Sequence, residues 1–347
     1  MVEFSIFNLM GQRKRENSIA STLSETVKLV QHAERANFDC AWFAEHHFSN
    51  YCICPSPLLM VSHIAAQTKK IRLGPAVVVV PLYHPIRLLS EIGMVSGLCG
   101  GRLNLGIGSG YQPYEFDRFG ASLNDSKDRL SEFIDLLEKA FGNETFNFQG
   151  KFTDIPETAI ITRPEINPPI WIAGDSEETH RIAARKGFTP IITGRWGGSE
   201  YLAEQRERIN VSFAAEGKSH ESYNIGILRF ACVTESDEET IKYLENARYQ
   251  LRLAASLRAR AEVMDGALMI EQPILNEPTL DEMADNLAVG RPETVAEKLI
   301  ADIRSSNASH VMLNIRTGDS TLEQAHRTID AFKNSIRPLI DKTLNLS

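Results

Sequence analysis

Short apolar runs alternate with stretches whose apolar residues recur at helical spacing, which predicts repeated strand-then-helix units. The first pair is FSIFNL from Phe4 and a helix over Thr22 to Asn37, where Val27, Val30 and Ala33 share a face and Thr22 with Glu25 fits a capping box. CAWFAEHHF, ending at Phe48, reads as the second strand. After the polar, proline-bearing loop Ser49 to Pro57, LLMVSHIAAQTKK reads as a helix whose closing lysines suit its negative end. IRLGPAVVVVP is too apolar to be half exposed and predicts a parallel strand covered on both faces. PIRLLSEIGMVSGL follows as a helix, with Pro85 near its first turn and Gly100 and Gly101 at its close. RLNLGIGSG is the fourth strand with a glycine-rich exit.

Beyond a helix over Ser126 to Phe141, the segment Phe146 to Pro169 alternates and carries turn residues, predicting a β-excursion. PIWIAG, EETHRIAARKG, TPIITG and SEYLAEQRERINVSFAAEG resume as strand, helix, strand and helix. YNIGILRFACVT is the seventh strand and Asp237 to Arg260 a long helix. Met264 to Gly290 has weak periodicity and several breakers, and reads as an insertion or mobile loop. RPETVAEKLIADIR, HVMLNIR and TLEQAHRTIDAF close the chain as helix, strand and helix. Eight strands with intervening helices predict an α/β fold, a TIM (β/α)8 barrel with its active site at the strand C-termini. An open doubly wound sheet is the competing topology. Length alone would divide the chain into about two domains, but no linker interrupts the rhythm. A single barrel domain over residues 1–347 is expected, with insertions at about 146–169 and 264–290.

Composition narrows the function without naming it. With 43% hydrophobic and 24% charged residues the chain is neither disordered nor fibrous. The 45 acidic against 37 basic residues, net −8, provide no general basic footprint for nucleic acid or an anionic membrane. A small ligand held by a local patch is compatible with that charge. No run of about 18 apolar residues occurs, and the opening MVEFSIFNLMGQRKREN places its charges after a short apolar run, the reverse of a secretory leader. A cytoplasmic location is therefore expected. Cys40, Cys52, Cys54, Cys99 and Cys232 are odd in number and scattered, and the spacing of Cys52 and Cys54 fits neither a redox pair nor a zinc knuckle. Reduced thiols are expected.

Three clusters can carry chemistry. Glu45, His46 and His47 end the second strand, where strand alternation keeps them from aiming at one point and argues against a three-ligand metal site. His46 is either a base or donor, or a buried histidine holding a loop. Gly106, Gly108 and Gly110 follow a strand, but Tyr111 stands where G-x-G-x-x-G needs its last glycine, so the dinucleotide fingerprint fails. That exit is a tight turn or a place for a flat ring to approach the backbone. AGDSEETH from Ala173 is a helix start, with Asp175 and Glu178 as an ordinary cap, or an anion site with Ser176 and Thr179 as donors. Lys127 or Arg129 could supply its cation. No separated set of histidines and carboxylates marks several strand ends, which disfavours a metal-dependent hydrolase.

AEHHF, LGPAVVVVPLYHP with its His84-Pro85, GRLNLGIGSG followed by YQPYEFDRFG, and AGDS before a helix stand in an order and spacing that resembles the bacterial luciferase-like, flavin-dependent monooxygenases. The similarity runs from Phe4 to about Gly194 and continues more weakly to the end. It implies a reaction in which reduced FMN, as co-substrate, adds dioxygen to form a hydroperoxide and oxygenates a small organic substrate such as an aldehyde. His46 would assist the oxygen chemistry, with Glu45 a lesser helper. A non-prolyl cis peptide at Ala76 to Val77 would lie against the ring. The phosphate would be met by Asp175, Ser176 and Thr179 with Lys127. Gly108, Ser109, Gly110, Tyr111, Ala173, Gly174, Gly194 and Trp196 complete the implied cofactor-binding set. Many members carry arginine where Ser109 stands. Tyr111, Trp196 and the loop Ser49 to Cys54 are candidate substrate-pocket wall, and Met264 to Gly290 corresponds to a loop expected to close over the flavin. The missing dinucleotide fingerprint points to a separate NAD(P)H:flavin reductase as partner. Family similarity further implies a homodimer through the second and third helices. The alternatives are a deazaflavin-dependent oxidoreductase of the same fold and a non-catalytic flavin-binding partner subunit.

Overall fold

The first apolar run of the computed structural model, which describes residues 2–16, 18–219 and 222–345, forms β1 (Glu3–Asn8). It is followed by α1 (Ile19–Arg35), β2 (Cys40–Phe43) and α2 (Pro57–Ala65). The IRLGPAVVVVP run is divided: β3 (Arg72–Pro75) and β4 (Val78–Val79) flank a cis peptide bond between Ala76 and Val77. A short 3-10 turn leads into α3 (Pro85–Cys99), then β5 (Leu105–Gly108), α4 (Pro113–Phe119) and α5 (Ser126–Gly142). The excursion expected at 146–169 contains the antiparallel hairpin of β6 (Phe146–Gln149) and β7 (Asp154–Thr158). The alternation resumes with β8 (Ile170–Ala173), α6 (Glu177–Lys186), β9 (Thr189–Thr193), α7 (Ser199–Ala215), β10 (Gly226–Val233) and α8 (Asp237–Ala259). After it come β11 (Val263–Asp265), β12 (Leu268–Ile270), α9 (Leu280–Asn286) and β13 (Ala288–Gly290). The chain closes with α10 (Pro292–Ser306), β14 (His310–Asn314), α11 (Leu322–Ala331) and α12 (Arg337–Leu344).

The main sheet runs β3-β2-β1-β14-β10-β9-β8-β5-β4, every neighbour parallel. Both ends of that order belong to the one apolar run at 71–81, so the third strand joins β2 by its first half and β5 by its second. This makes the sheet a (β/α)8 barrel and removes the doubly wound alternative. Phe4, Ile6, Trp42, Leu73, Val78, Ile107, Ile227 and Val311 are fully buried, as strands covered inside by packed side chains and outside by helices require. At the N-terminal end, the indoles of Trp42 and Trp171 meet edge to face at 5.2 Å.

Local chemistry shifts several boundaries. The cap of α1 is Ser18, whose hydroxyl oxygen accepts the Ser21 N–H at 3.4 Å, and not the expected Thr22. Thr22 lies one turn inside, its hydroxyl donating to the Ser18 carbonyl, while Glu25 pairs with Arg316. α2 ends at Ala65, so Lys69 and Lys70 lie beyond it and do not complement its dipole. Their backbone N–H groups and that of Ile71 instead converge on Glu34 Oε1 at 2.7, 2.7 and 3.1 Å. β2 stops at Phe43, before the Glu45 to His47 cluster.

Within 264–290, where weak periodicity predicts a loop, the chain forms the β11–β12 hairpin, α9 with a complete Thr279–Glu282 capping box, and β13 paired with β10. Asn50 Oδ1 accepts the Met269 N–H at 2.7 Å, and Arg252 pairs with Glu271 and Glu277. These anchors join groups far apart in sequence, which periodicity does not register. The five cysteines are buried and unpaired with one another. Among the described residues no helix is long and apolar enough to cross a membrane.

Candidate active site

The C-terminal ends of the barrel strands open into a cavity of about 610 Å³, within the range of small-molecule sites. α8 supplies one wall through Gln250, Leu251, Ala254, Ala255 and Arg258, spaced so that they share a helical face.

Because β2 ends at Phe43, Glu45, His46 and His47 occupy a loop and strand alternation does not govern them. Glu45 turns toward the third strand, its Oε2 accepting the Val79 N–H at 3.0 Å and its Oε1 lying 3.1 Å from His47 Nε2. Burial pushes the Glu45 carboxyl up, with the His47 hydrogen bond opposing. His46 turns the other way: its Nδ1 donates to Glu115 Oε1 at 3.1 Å, and the same oxygen accepts the His47 backbone N–H at 2.7 Å. Nε2 is then the His46 nitrogen available to a ligand. Tyr51 and Tyr111 flank the imidazole, with ring centroids at 4.8 and 5.7 Å. Burial raises both tyrosine hydroxyls, so they act as neutral donors.

The opposite wall is the start of α6. Ser176 caps it, accepting the Thr179 N–H at 3.3 Å, and the two hydroxyls lie 2.9 Å apart. The expected cap by Asp175 with Glu178 is not formed. Asp175 is drawn to Arg195 at 2.8 Å, and Glu178 pairs with Arg185 at 2.8 Å. Lys127, exposed in the first turn of α5, makes no ion pair among the described residues. The first-turn amides and two hydroxyls beside a free ammonium suit an anion. The donor set fits a flavin phosphate, and Ala76, Val77, Gly108 and Gly110 border the same cavity, although the missing Cβ positions of the two glycines are taken up by Val77 and by Phe116 with Val79.

Glu45, His46, Ala76, Val77, Gly108, Ser109, Gly110 and Tyr111 all line this cavity. So do Lys127, Ala173, Gly174, Asp175, Ser176, Thr179 and Trp196. Trp196 does double duty, since it also packs on the cluster containing Met283 and Leu287. Gly194 is the exception: its N–H binds the Leu228 carbonyl at 3.0 Å, and a Cβ there would lie 2.4 Å from Arg229 Nη1. It makes room for the buried Arg229, which pairs with Asp302 at 2.7 Å and donates at 2.6 Å each to the Gly197 and Asn286 carbonyls. Of the expected pocket loop Ser49 to Cys54, Tyr51 reaches the cavity; no residue of 264–290 lines it.

Sequence reasoning missed Glu115, Arg195, Gln250, Arg258 and Asn314. Glu115 lies within the YQPYEFDRFG landmark, but only its place on α4, which starts at Pro113, brings it to His46. Among the described residues, no group of three or more histidine, cysteine or carboxylate side chains is arranged to hold a metal ion.

The family model of luciferase-like monooxygenases matches residues 2–310, and the chain belongs to that family. It is 38% identical to an uncharacterized Sinorhizobium fredii protein, y4vJ, over 100% of this chain and 99% of that one. It is 26% identical to the oxygenase component of the flavin-dependent trigonelline monooxygenase of Acinetobacter baylyi, covering 99% of this chain and 96% of the relative. The fold matches the crystal structure of monooxygenase RslO1 from Streptomyces bottropensis with a TM-score of 0.83 at 21% identity, over 97% and 99% of the two chains.

Proposed function

We propose that this protein is the oxygenase of a two-component flavin-dependent monooxygenase, using reduced FMN and dioxygen to oxygenate a small organic substrate. A separate NAD(P)H:flavin reductase supplies the reduced flavin. The observation that carries this reading is one cavity in which the His46–Glu115 pair, the Ala76–Val77 segment and the α6 N-terminus with Lys127 face a common space. Bound reduced FMN supplies two electrons to dioxygen, so that one oxygen atom enters the substrate and the other leaves as water.

The residues divide the remaining work. Lys127, Ser176, Thr179 and the first-turn amides of α6 hold the phosphate, a point charge and oriented donors in place of the arginine that Ser109 replaces. Ala76, Val77, Gly108 and Gly110 bound the ring. His46 Nε2 donates or accepts the proton at the reacting face, its tautomer held by Glu115 on Nδ1. Glu45, tied to Val79 and His47, acts by fixing that loop. Tyr51, Tyr111 and Trp196 exclude water from the reaction space. The chain works as a single barrel domain in a reducing, cytoplasmic compartment, pairing as a homodimer through the exposed Leu59 of α2 and Met94 and Leu98 of α3.

The deciding experiment is anaerobic titration with reduced FMN, and in parallel with a reduced deazaflavin, followed by oxygen and a substrate panel. Binding of reduced FMN and oxygen-dependent product from the isolated chain support the proposal. Preference for the deazaflavin, or binding without turnover over a panel of aldehydes, ketones, amines and sulfur compounds, rejects it in favour of the two alternatives of the same fold.

A further inference from the structure

Three cationic side chains, Lys127, Arg195 and Arg258, line the cavity among the described residues. Arg195 is neutralised by Asp175 at 2.8 Å, and Lys127 serves the flavin phosphate in the proposed reading. Arg258 has neither role. No carboxylate pairs with it among the described residues, and its guanidinium lies over the Tyr111 ring, 4.5 Å from the centroid. Tyr111 in turn meets His46 edge to face at 5.7 Å, so Arg258, Tyr111 and His46 stand in series along one wall.

α8 turns that series into one side of a slot. Gln250, Ala254 and Arg258 recur at every fourth position, a stripe about 12 Å long at roughly 1.5 Å rise per residue. Ala254 and the adjacent Ala255 leave its middle without bulk. At its far end Gln250 Oε1 is held by Asn314 Nδ2 at 3.4 Å and by the Thr317 hydroxyl. Asn314, 1% exposed, keeps its Oδ1 without a donor. The slot thus has an arginine fork at one end, a small apolar wall in the middle and the hydrogen-bonded Gln250–Asn314 pair at the other.

We infer that the substrate is a small organic carboxylate, its carboxylate gripped by Arg258 and its body lying along Ala254 and Ala255 in front of His46. A planar guanidinium stacked on a tyrosine presents two parallel N–H groups to a carboxylate, a match that a neutral carboxamide cannot reproduce. This identification of the substrate class rests on the monooxygenase reading, but the anion site itself can be measured without flavin.

The test uses the full-length protein with R258M and R258K, their folding checked by circular dichroism. Calorimetric titration with benzoate, phenylacetate and hexanoate is compared with the matched carboxamides. The expected result is that wild type binds at least one acid roughly tenfold or more tighter than its amide, that R258M loses this preference, and that R258K keeps part of it. FMN and riboflavin titrations of the same proteins form the second arm, in which R258M leaves both affinities unchanged. The inference is overturned if wild type prefers no acid over its amide, or if R258M binds the acids as wild type does. It is also overturned if R258M weakens FMN but not riboflavin, which would assign Arg258 to the flavin phosphate. Failure of wild type to bind flavin at all, with acid binding intact, would overturn the monooxygenase reading and leave the carboxylate site standing.

Discussion

His46 and Glu115 lie 69 positions apart in the chain and are joined by a 3.1 Å hydrogen bond from Nδ1 to Oε1. The carboxylate lies in a 1% exposed residue and also takes the His47 N–H, so it fixes both the ring and the loop that carries it.

If that bond sets the His46 tautomer, Glu115→Leu should lower kcat by about ten- to a hundredfold, because Nδ1 loses the acceptor that fixes its proton. His46→Ala should cost more, about 10²- to 10⁴-fold, the range for losing a positioned acid or base. Reduced-flavin affinity should change little in either. Stopped-flow kinetics of His46→Ala that match wild type would sink the role.

The α6 start predicts a phosphate-specific defect. Ser176→Ala combined with Lys127→Met should weaken FMN about tenfold or more while leaving riboflavin nearly unaffected, since only FMN carries the dianion. Losing the Ser176 cap should also cost about 1 kcal/mol of stability, readable by urea unfolding. Equal weakening of FMN and riboflavin would place the phosphate elsewhere.

Arg229 and Asp302 form an ion pair with side chains 0% and 3% exposed. Arg229→Met should destabilise by about 3–5 kcal/mol, because Asp302 is left buried and two backbone carbonyls lose their donor. The cavity should suffer too, since Arg229 bonds Gly197 beside Trp196 and Asn286 at the end of α9. Unfolding curves and substrate KM report the two effects.

A pH dependence follows from the N-terminal end of the barrel. His310 Nε2 lies 2.8 Å from the Ser5 hydroxyl and 3.3 Å from the Trp42 indole nitrogen, while Nδ1 is 3.0 Å from Glu3. With the Trp42 indole N–H donating to Nε2, that nitrogen carries no proton and the ring is neutral, and burial pushes the His310 pKa below 6.5. The unfolded chain therefore binds a proton near pH 6.5 that the folded chain refuses, so stability falls as pH drops below about 6.5. Glu3 is held at about 2, chiefly by its hydrogen bond to His310, so its contribution is complete above 4.5 and is lost as pH falls toward 2. Urea midpoints at pH 7.5, 6 and 5 should decline in wild type and flatten in His310→Gln; a flat wild-type profile rejects the assignment.

The strand and helix alternation that predicts a (β/α)8 barrel and the position of the α6 start were legible in the sequence because each depends on neighbours a few residues away, whereas the third apolar run, read as one strand, divides into two. The β-branched run at Val77 to Val80 needs cover on both faces wherever it lies, and Ser176 precedes its helix in any fold. Local rules erred where local options competed. Ser18 and Thr22 can both cap a helix; Ser18 does so, and Thr22, buried one turn inside, turns its hydroxyl to the Ser18 carbonyl. Lys69 and Lys70 can both face a helix end, but Glu34, on another helix, took their backbone amides.

What the sequence by itself determined was the strand and helix alternation, the family landmarks and the residues at the strand exits, all set by periodicity and short-range spacing. Only the tertiary structure decided that Glu115 orients His46, that Arg195 claims Asp175, that Gly194 serves Arg229 and not the cavity, and that α8 lays Arg258 over Tyr111. Each of these joins side chains on different elements. Their meeting depends on how the barrel closes in three dimensions, and the spacing of residues along one chain carries no measure of that.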